Sequence, residues 1–147
     1  MALDGFGEVI TDPREVRYPV ITICASSRFG ANIDAFYREL SWAGALVFSL
    51  CGYMHGDDTR IATEPGLKEM LDNMHRAKIR RSDSVAVLNI GDYIGESTQK
   101  EINYAEALGV PVYRYIALGR ETMNFQEFAK YVVKATCIKA NIKLPEV

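Results

Sequence analysis

The chain has 147 residues, a length that fits one domain with a core of its own. Hydrophobic residues make up 48% of it and charged residues 24%, which is typical of folded proteins and excludes global disorder. The net charge of −2 provides no basic surface for a polyanion and disfavours duplex nucleic acid as a partner. No apolar run approaches the roughly 20 residues that span a bilayer, so no membrane partner is expected.

Residues 1–18 have no hydrophobic periodicity and are predicted to form an N-terminal arm, with residues 19–147 as a single α/β domain. The arm lacks the apolar segment of a secretory signal. Three widely spaced cysteines, Cys24, Cys51 and Cys137, form no CxxC or zinc pattern. They are predicted to be reduced thiols packed as small hydrophobic residues, in a cytoplasmic protein without a cofactor or a metal ion.

Strand-like and helix-like hydrophobic patterns alternate along the rest of the chain. In chain order, the predicted elements are a strand at Val20–Ala25, a helix at Asn32–Ala43, a strand at Ala45–Leu50, a helix at Leu67–Arg80, a strand at Ser84–Ile90, a helix at Thr98–Leu108, a strand starting at Pro111–Tyr115 and a helix at Asn124–Ala140. Gly44 and Gly109 are predicted to end the first and third helices.

This alternation predicts a small doubly wound, flavodoxin-like parallel sheet of order 2-1-3-4 with helices on both faces. Ligands of such sheets bind beyond the carboxyl ends of the strands. The loops expected to carry function are Ser26–Ala31, Cys51–Glu64, Gly91–Ser97 and the stretch after Tyr115. His55, Asp57 and Asp58 in the second loop could hold a divalent ion, but a solvated acidic loop is the favoured interpretation.

The loop after the first predicted strand combines two hydroxyls and a guanidinium, at Ser26, Ser27 and Arg28, with the flexible Gly30. Such groups at a helix start suit a phosphate or a carboxylate. The loop lacks the Gly-Lys-Ser/Thr ending of a P-loop, and no GxGxxG dinucleotide motif is present. An ordinary polar turn, capped by Ser27 or Asn32, is the alternative.

The loop after the third predicted strand is rich in glycine and carboxylates. Gly95 allows a ligand to approach the backbone closely, and Asp92, Glu96 and Glu101 bring three carboxylates to the mouth of the strand. The alternative is structural: Thr98-x-x-Glu101 has the spacing of a capping box, in which Glu101 accepts from the backbone N–H of Thr98. His75 lies on a predicted helix with Asp72 one turn before it and no second histidine beside it, and it is a weaker candidate.

Three segments, ITICASSRFG, SDSVAVLNI and EINYAEALGVPVYRY, together resemble the nucleoside 2-deoxyribosyltransferase superfamily, which includes nucleotide N-glycosidases. The resemblance extends from about Val20 to Tyr115 and is nearest to a bacterial and phage branch. Its most specific part is a Glu-x-x-x-Ala-x-x-x-Gly-x-Pro signature, matched by Glu101, Ala105, Gly109 and Pro111.

The resemblance implies cleavage or transfer at the N-glycosidic bond of a nucleoside or nucleoside monophosphate, with Glu101 as the nucleophile. It further implies a homo-oligomer with sites near subunit contacts. It assigns sugar or phosphate binding to the loop of Ser26, Ser27 and Arg28, and it matches the acidic residue that opens the third strand to Asp83.

At two positions this sequence differs from the family pattern. His75 stands where the family has an aspartate that handles the base. Gly95, six residues before the nucleophile, stands where the family has a residue that contacts the phosphate or the base. The expected roles are therefore base contact or proton transfer for His75 and Asp92, with Ser97 or Asp92 substituting near Gly95. A non-catalytic nucleotide-binding or sensing domain is the rival hypothesis, and a structural module with Glu101 as a cap is a third.

Overall fold

The computed structural model describes residues 3–9, 16–50, 59–118 and 124–145. Four strands and five helices alternate along these ranges: β1 (Val20–Cys24), α1 (Gly30–Trp42), β2 (Leu46–Phe48), α2 (Thr59–Thr63), α3 (Leu67–Arg80), β3 (Ser84–Ile90), α4 (Glu96–Ala107), β4 (Val112–Ala117) and α5 (Phe125–Ala140). A short 3-10 turn at Ser27–Phe29 links β1 to α1. The predicted α/β class is confirmed.

The four strands form one sheet in the order β2-β1-β3-β4, and every neighbouring pair is parallel. The predicted order is the observed one. β1 leads through α1 to β2 on one side and lies beside β3 on the other, so the direction of winding reverses between β1 and β3. In doubly wound sheets a ligand crevice opens at this switch point.

The two faces of the sheet carry separate cores because neighbouring strand residues point in opposite directions. On one face Ile21, Ile23 and Leu88 pack with the apolar sides of α1 and α5, including Phe36 and Val132. This face contains more buried residues than the opposite face and is therefore the larger core.

The opposite face of the sheet is covered by α3 and α4. Cys24 and Val87 from the strands pack there with Ile79 of α3 and with Ile102 and Ala105 of α4. Because Cys24 is the last residue of β1, it lies on this face at the carboxyl edge of the sheet. The smaller core therefore ends at the position where a ligand crevice is expected.

Glycines end two helices as predicted. Gly44 follows α1 with a φ of +103°, and Gly109 follows α4 with a φ of +75°. Only glycine adopts such angles without strain, so both helices end where the sequence places their stops. The loop predicted from Cys51 to Glu64 contains the short α2 in its second half, while residues 51–58, with His55, Asp57 and Asp58, lie outside the described residues.

Within the described ranges, no helix has both the length and the apolar composition needed to cross a bilayer.

Asp83, just before β3, connects the amino ends of β1 and β3. Its Oδ2 accepts a hydrogen bond of 2.8 Å from the backbone N–H of Val20, and its Oδ1 accepts one of 2.9 Å from Arg17. The carboxylate thus lies at the edge of the sheet opposite the strands' carboxyl ends. Its contacts fix the start of β1 beside β3.

We predict that Asp83→Ala lowers the free energy of unfolding by about 1–3 kcal/mol, since the partly buried N–H of Val20 loses its acceptor. Urea unfolding at pH 7 measures the change. Arg17→Ala is the control and should cost less than about 1 kcal/mol, because its side chain is mostly exposed. Equal costs for the two variants would contradict a role for the Val20 contact.

Candidate active site

A cavity of about 260 Å³ opens at the carboxyl ends of β1 and β3. It lies at the switch point and between α3 and α4. Its walls come from the loop after β1, the segment after β2, α2, α3, the loop after β3 and the first turns of α4. The polar and aromatic lining residues include Ser26, Ser27, Lys68, Asp72, Tyr93, Glu96, Ser97, Thr98 and Glu101, together with Gly95.

Glu101 is placed at the cavity by the buried face of α4. Thr98, Glu101, Ile102 and Ala105 are the buried residues of this helix and follow one another at i, i+3, i+4 and i+7. A carboxylate therefore occupies a position that packing would normally give to an apolar side chain. Its side chain is 12% exposed, so it reaches the cavity while most of it is buried.

The capping-box alternative for Glu101 is wrong. α4 begins at Glu96, with Gly95 as its N-cap residue and no side-chain cap. Thr98 is consequently a helical residue of the first turn, and its N–H is not the N-cap donor that Glu101 would have to satisfy. Oε2 of Glu101 is buried and has no hydrogen-bond partner among the described residues.

Three chemically reactive side chains meet behind the cavity. Nε2 of His75, on α3, lies 3.4 Å from Oε2 of Glu101 and 3.5 Å from Sγ of Cys24. Cys24 is fully buried and His75 is 3% exposed. This group of Cys24, His75 and Glu101 is called the buried triad below.

The buried triad does not have the geometry of a nucleophilic cysteine relay. In such a relay the two ring nitrogens of histidine contact different partners, one the nucleophile and the other the acid. Here both partners meet Nε2, while Nδ1 has no hydrogen-bond partner within the described part of the chain. Burial, followed by the charge of Glu101, also raises the pKa of the Cys24 thiol well above its usual value. Cys24 is therefore a poor nucleophile.

Burial pushes both ionisable partners toward their neutral forms. It raises the pKa of Glu101 to about 7, with the nearby Asp72 charge adding to the rise and Cys24, Arg76 and Lys68 opposing it. It lowers the pKa of His75 to about 4, with Lys78 adding to the fall and Asp72 opposing it. Near neutral pH the ring of His75 is thus uncharged, and the carboxyl group of Glu101 is partly protonated.

Asp72 contributes the second carboxylate of the cavity. It lies on α3 three residues before His75, and its Oδ2 receives a 2.8 Å salt bridge from Nζ of Lys68. Both Asp72 and Lys68 line the cavity, whereas His75 does not. On the α3 side, the cavity wall therefore contains the salt bridge between Asp72 and Lys68, and the ring of His75 lies behind that wall.

An aromatic side chain forms part of the wall formed by the loop after β3. Gly91 and Asp92 both have positive φ, and the turn they form allows Tyr93 to pair back with Ile90. The ring of Tyr93 lies in the cavity wall, with the guanidinium of Arg28 stacked 3.6 Å from its centre. This cation–π contact joins the loops after β1 and β3.

The structure brings part of the predicted site together. Of the predicted residues, the lining set comprises Ser26, Ser27, Gly95, Ser97 and Glu101. Five predicted residues do not line the cavity. Arg28 stacks on Tyr93, and Gly30 is buried at the start of α1; the other three are His75, Asp83 and Asp92. Asp83 is at the opposite edge of the sheet, where backbone and arginine contacts occupy it, and Asp92 is exposed on its turn.

Cys24, Lys68, Asp72 and Tyr93 also belong to this region but were not predicted as site residues. A signal existed for Asp72, because residues three apart on a helix lie one turn apart and His75 was already a candidate. Nothing in the spacing of Cys24 links it to the other two members of the buried triad. Cys24 lies 51 residues before His75 in the sequence. Strand β3 separates the helices that carry His75 and Glu101.

Comparison with known proteins finds no family model that matches the chain and no curated protein that matches its sequence.

We predict that Glu101→Gln stabilises the protein at pH 8, by up to about 3 kcal/mol. The folded-state pKa of Glu101 is raised from 4.5 to about 7, so its contribution to stability falls as pH rises from 4.5 to 7 and stays low above 7. Gln has no such dependence. The gain should therefore shrink as pH falls towards 5, as measured by urea unfolding at both values.

Glu106→Gln is the matched control for this prediction, because Glu106 lies on the exposed side of the same helix. Its effect should stay below about 1 kcal/mol at both pH values. If Glu101→Gln were instead less stable than the wild type at pH 8, the ionised carboxylate would not lower the free energy of unfolding.

Proposed function

We propose that this protein cleaves or transfers the N-glycosidic bond of a nucleoside or nucleoside monophosphate, with Glu101 as the nucleophile. The observation that carries the proposal is a largely buried carboxylate, 12% exposed, that reaches the wall of a cavity at the switch point of the sheet. The resemblance of the signature at Glu101 to the nucleoside 2-deoxyribosyltransferase superfamily supports the same role.

In the proposed reaction, the ionised carboxylate of Glu101 attacks the anomeric carbon of the sugar. A bond forms between carbon and carboxylate oxygen as the bond to the base breaks, which gives a glycosyl-enzyme ester. Water then releases the sugar in a hydrolase, or a second base accepts it in a transferase. Burial favours the attack because a poorly solvated carboxylate is not shielded by water.

The departing base carries an electron pair and needs a proton or a hydrogen bond. Tyr93 lines the cavity and its phenol hydroxyl can donate this hydrogen bond, whereas the carboxylates of Asp72 and Glu96 accept salt bridges from Lys68 and Lys100. His75, a predicted candidate for proton transfer, does not line the cavity, and its low pKa leaves the ring neutral and unable to act as an acid near pH 7. We assign His75 to positioning the Glu101 carboxylate, and we leave Asp92 out of the proposed site.

The polar groups of the other walls suit a sugar or a sugar phosphate. Ser26, Ser27 and Ser97 line the cavity together with Glu101, and the ammonium group of Lys68 supplies a positive charge. The first residues of α4 line the same cavity and have no side-chain cap, and a helix N-terminus of this kind suits an anion. These features support a phosphorylated substrate. In the protein as it stands, Lys68 forms a salt bridge with Asp72.

The family resemblance extends the proposal to a cytoplasmic homo-oligomer with its sites near subunit contacts. This arrangement fits a cavity that is open to one side and lined by exposed residues such as Glu96. Sedimentation of the purified chain would give its subunit number.

We expect the purified protein to release free base from one or more deoxyribo- or ribonucleoside monophosphates or the corresponding nucleosides. Glu101→Gln should lower kcat/KM by about 1000-fold or more, because the amide cannot form the ester. Chromatographic assay of the base, with and without a second base as acceptor, separates hydrolysis from transfer.

Glu106→Gln is again the control and should retain wild-type kcat/KM, since it lies outside the cavity. Equal turnover by wild type and Glu101→Gln would defeat the proposal. Nucleotide binding without turnover by the wild type, seen as a shift in melting temperature, would instead establish the rival function of a nucleotide-binding or sensing domain.

The active form needs an ionised Glu101, so kcat/KM should rise with pH and level off above about 7. Asp72→Asn removes a negative charge that raises the pKa of Glu101 and should shift this rise to lower pH. Lys68→Met removes a positive charge that lowers the pKa and should shift it to higher pH. The position of the rise, and not the size of kcat/KM, is the measurement that decides.

A further inference from the structure

The buried triad has a property that nucleophilic catalysis at Glu101 does not use. It gathers a thiol, an imidazole nitrogen and a carboxylate oxygen so that one ligand atom of each lies within 4.8 Å of the others. Cys24 comes from β1, His75 from α3 and Glu101 from α4, so three elements packed in the smaller core hold the atoms in place.

The distances match those between ligands of one tetrahedral zinc ion. With Zn–S of about 2.3 Å and Zn–N and Zn–O of about 2.0–2.1 Å, tetrahedral angles place neighbouring ligand atoms about 3.3–3.6 Å apart. Nε2 of His75 lies 3.5 Å from Sγ of Cys24 and 3.4 Å from Oε2 of Glu101. Two of the three edges therefore have coordination lengths in the protein as it stands.

Hydrogen bonding in the buried triad is incomplete in a way that a cation would correct. Oε2 of Glu101 faces Nε2 of His75, is inaccessible to water and has no hydrogen-bond partner among the described residues. A neutral histidine carries at most one proton at Nε2, so this nitrogen cannot donate to both the Cys24 sulfur and the Glu101 carboxylate. A divalent ion between the three atoms would contact all of them.

The surroundings also suit a metal ion that keeps an open position. Zinc sites with three protein ligands leave the fourth to water or another small ligand. Glu101 lines the cavity of about 260 Å³, so the ion and its fourth ligand can enter from that side. The mixed thiolate, imidazole and carboxylate set favours zinc over magnesium or calcium, which prefer oxygen ligands.

We propose that Cys24, His75 and Glu101 form a binding site for a single zinc ion, with the fourth position open to the cavity. Binding releases the thiol proton of Cys24 and, where Glu101 is protonated, its carboxyl proton into solvent, and it places the ion on Oε2 of Glu101. A carboxylate that coordinates zinc is a weaker nucleophile, so the occupied site is the inactive form of the proposed glycosidase.

The test uses Co²⁺ as a spectroscopic probe on chelator-treated, reduced full-length protein. The chain has three cysteines, so a Cys51→Ser/Cys137→Ser double variant retains Cys24 as its single thiol. We expect one equivalent of Co²⁺ to produce sulfur-to-cobalt charge-transfer absorption in this variant and in the wild type, and one equivalent of Zn²⁺ to abolish it. The wild-type titration covers the case in which the double variant folds poorly.

Within the same background, Glu101→Gln and His75→Gln should each weaken Zn²⁺ binding more than about tenfold, measured by competition with a chromophoric chelator. Glu106→Gln should leave it unchanged. Absence of the charge-transfer band in folded wild-type protein would overturn the proposal. So would a band in the double variant that neither Glu101→Gln nor His75→Gln weakens.

Metal binding is read independently of turnover, so its failure and that of the proposed function remain separate. If the protein releases base, Zn²⁺ at one equivalent should inhibit it and a chelator should restore the rate. Undiminished activity with zinc shown bound by the cobalt competition would overturn the inhibitory part of the proposal.

Discussion

Burial of the Glu101 carboxylate is the constraint on which the rest of this site depends. A carboxylate placed among core side chains loses water and resists ionisation, which raises its pKa to about 7. The fold retains this unfavourable group beside His75 and Cys24, where a hydrocarbon side chain would pack well. Such a local conflict between packing and chemistry is typical of functional sites.

The parallel sheet explains why these particular elements meet at the carboxylate. β1 and β3 are adjacent and parallel, so their carboxyl ends and the loops that follow them share one edge. α3 and α4 cover the same face, and the buried side of α4 directs Glu101 toward α3. The cavity is thus a consequence of chain topology, and its chemistry comes from the side chains that line it.

Helix α3 places polar side chains at two depths beside the cavity. Asp72 faces the cavity with Lys68, and His75, one turn later, lies behind it against Glu101. The charge of Asp72 raises the pKa of Glu101, while the neutral ring of His75 contacts the carboxylate oxygen directly. A charged pair at the cavity and a neutral ring behind it therefore lie on successive turns of one helix, and an ion held by the buried triad would contact the ring.

The sequence alone determined the α/β class, the strand order and most helix and strand positions, because hydrophobic periodicity and glycine stops are local signals. It also singled out Glu101 and the serines of the first loop. Tertiary structure decided what local spacing does not encode: that α4 starts early enough to exclude the cap, that Asp83 lies at the far edge, and that Cys24 reaches His75. Contacts between distant residues arise only when the sheet and its covering helices pack together.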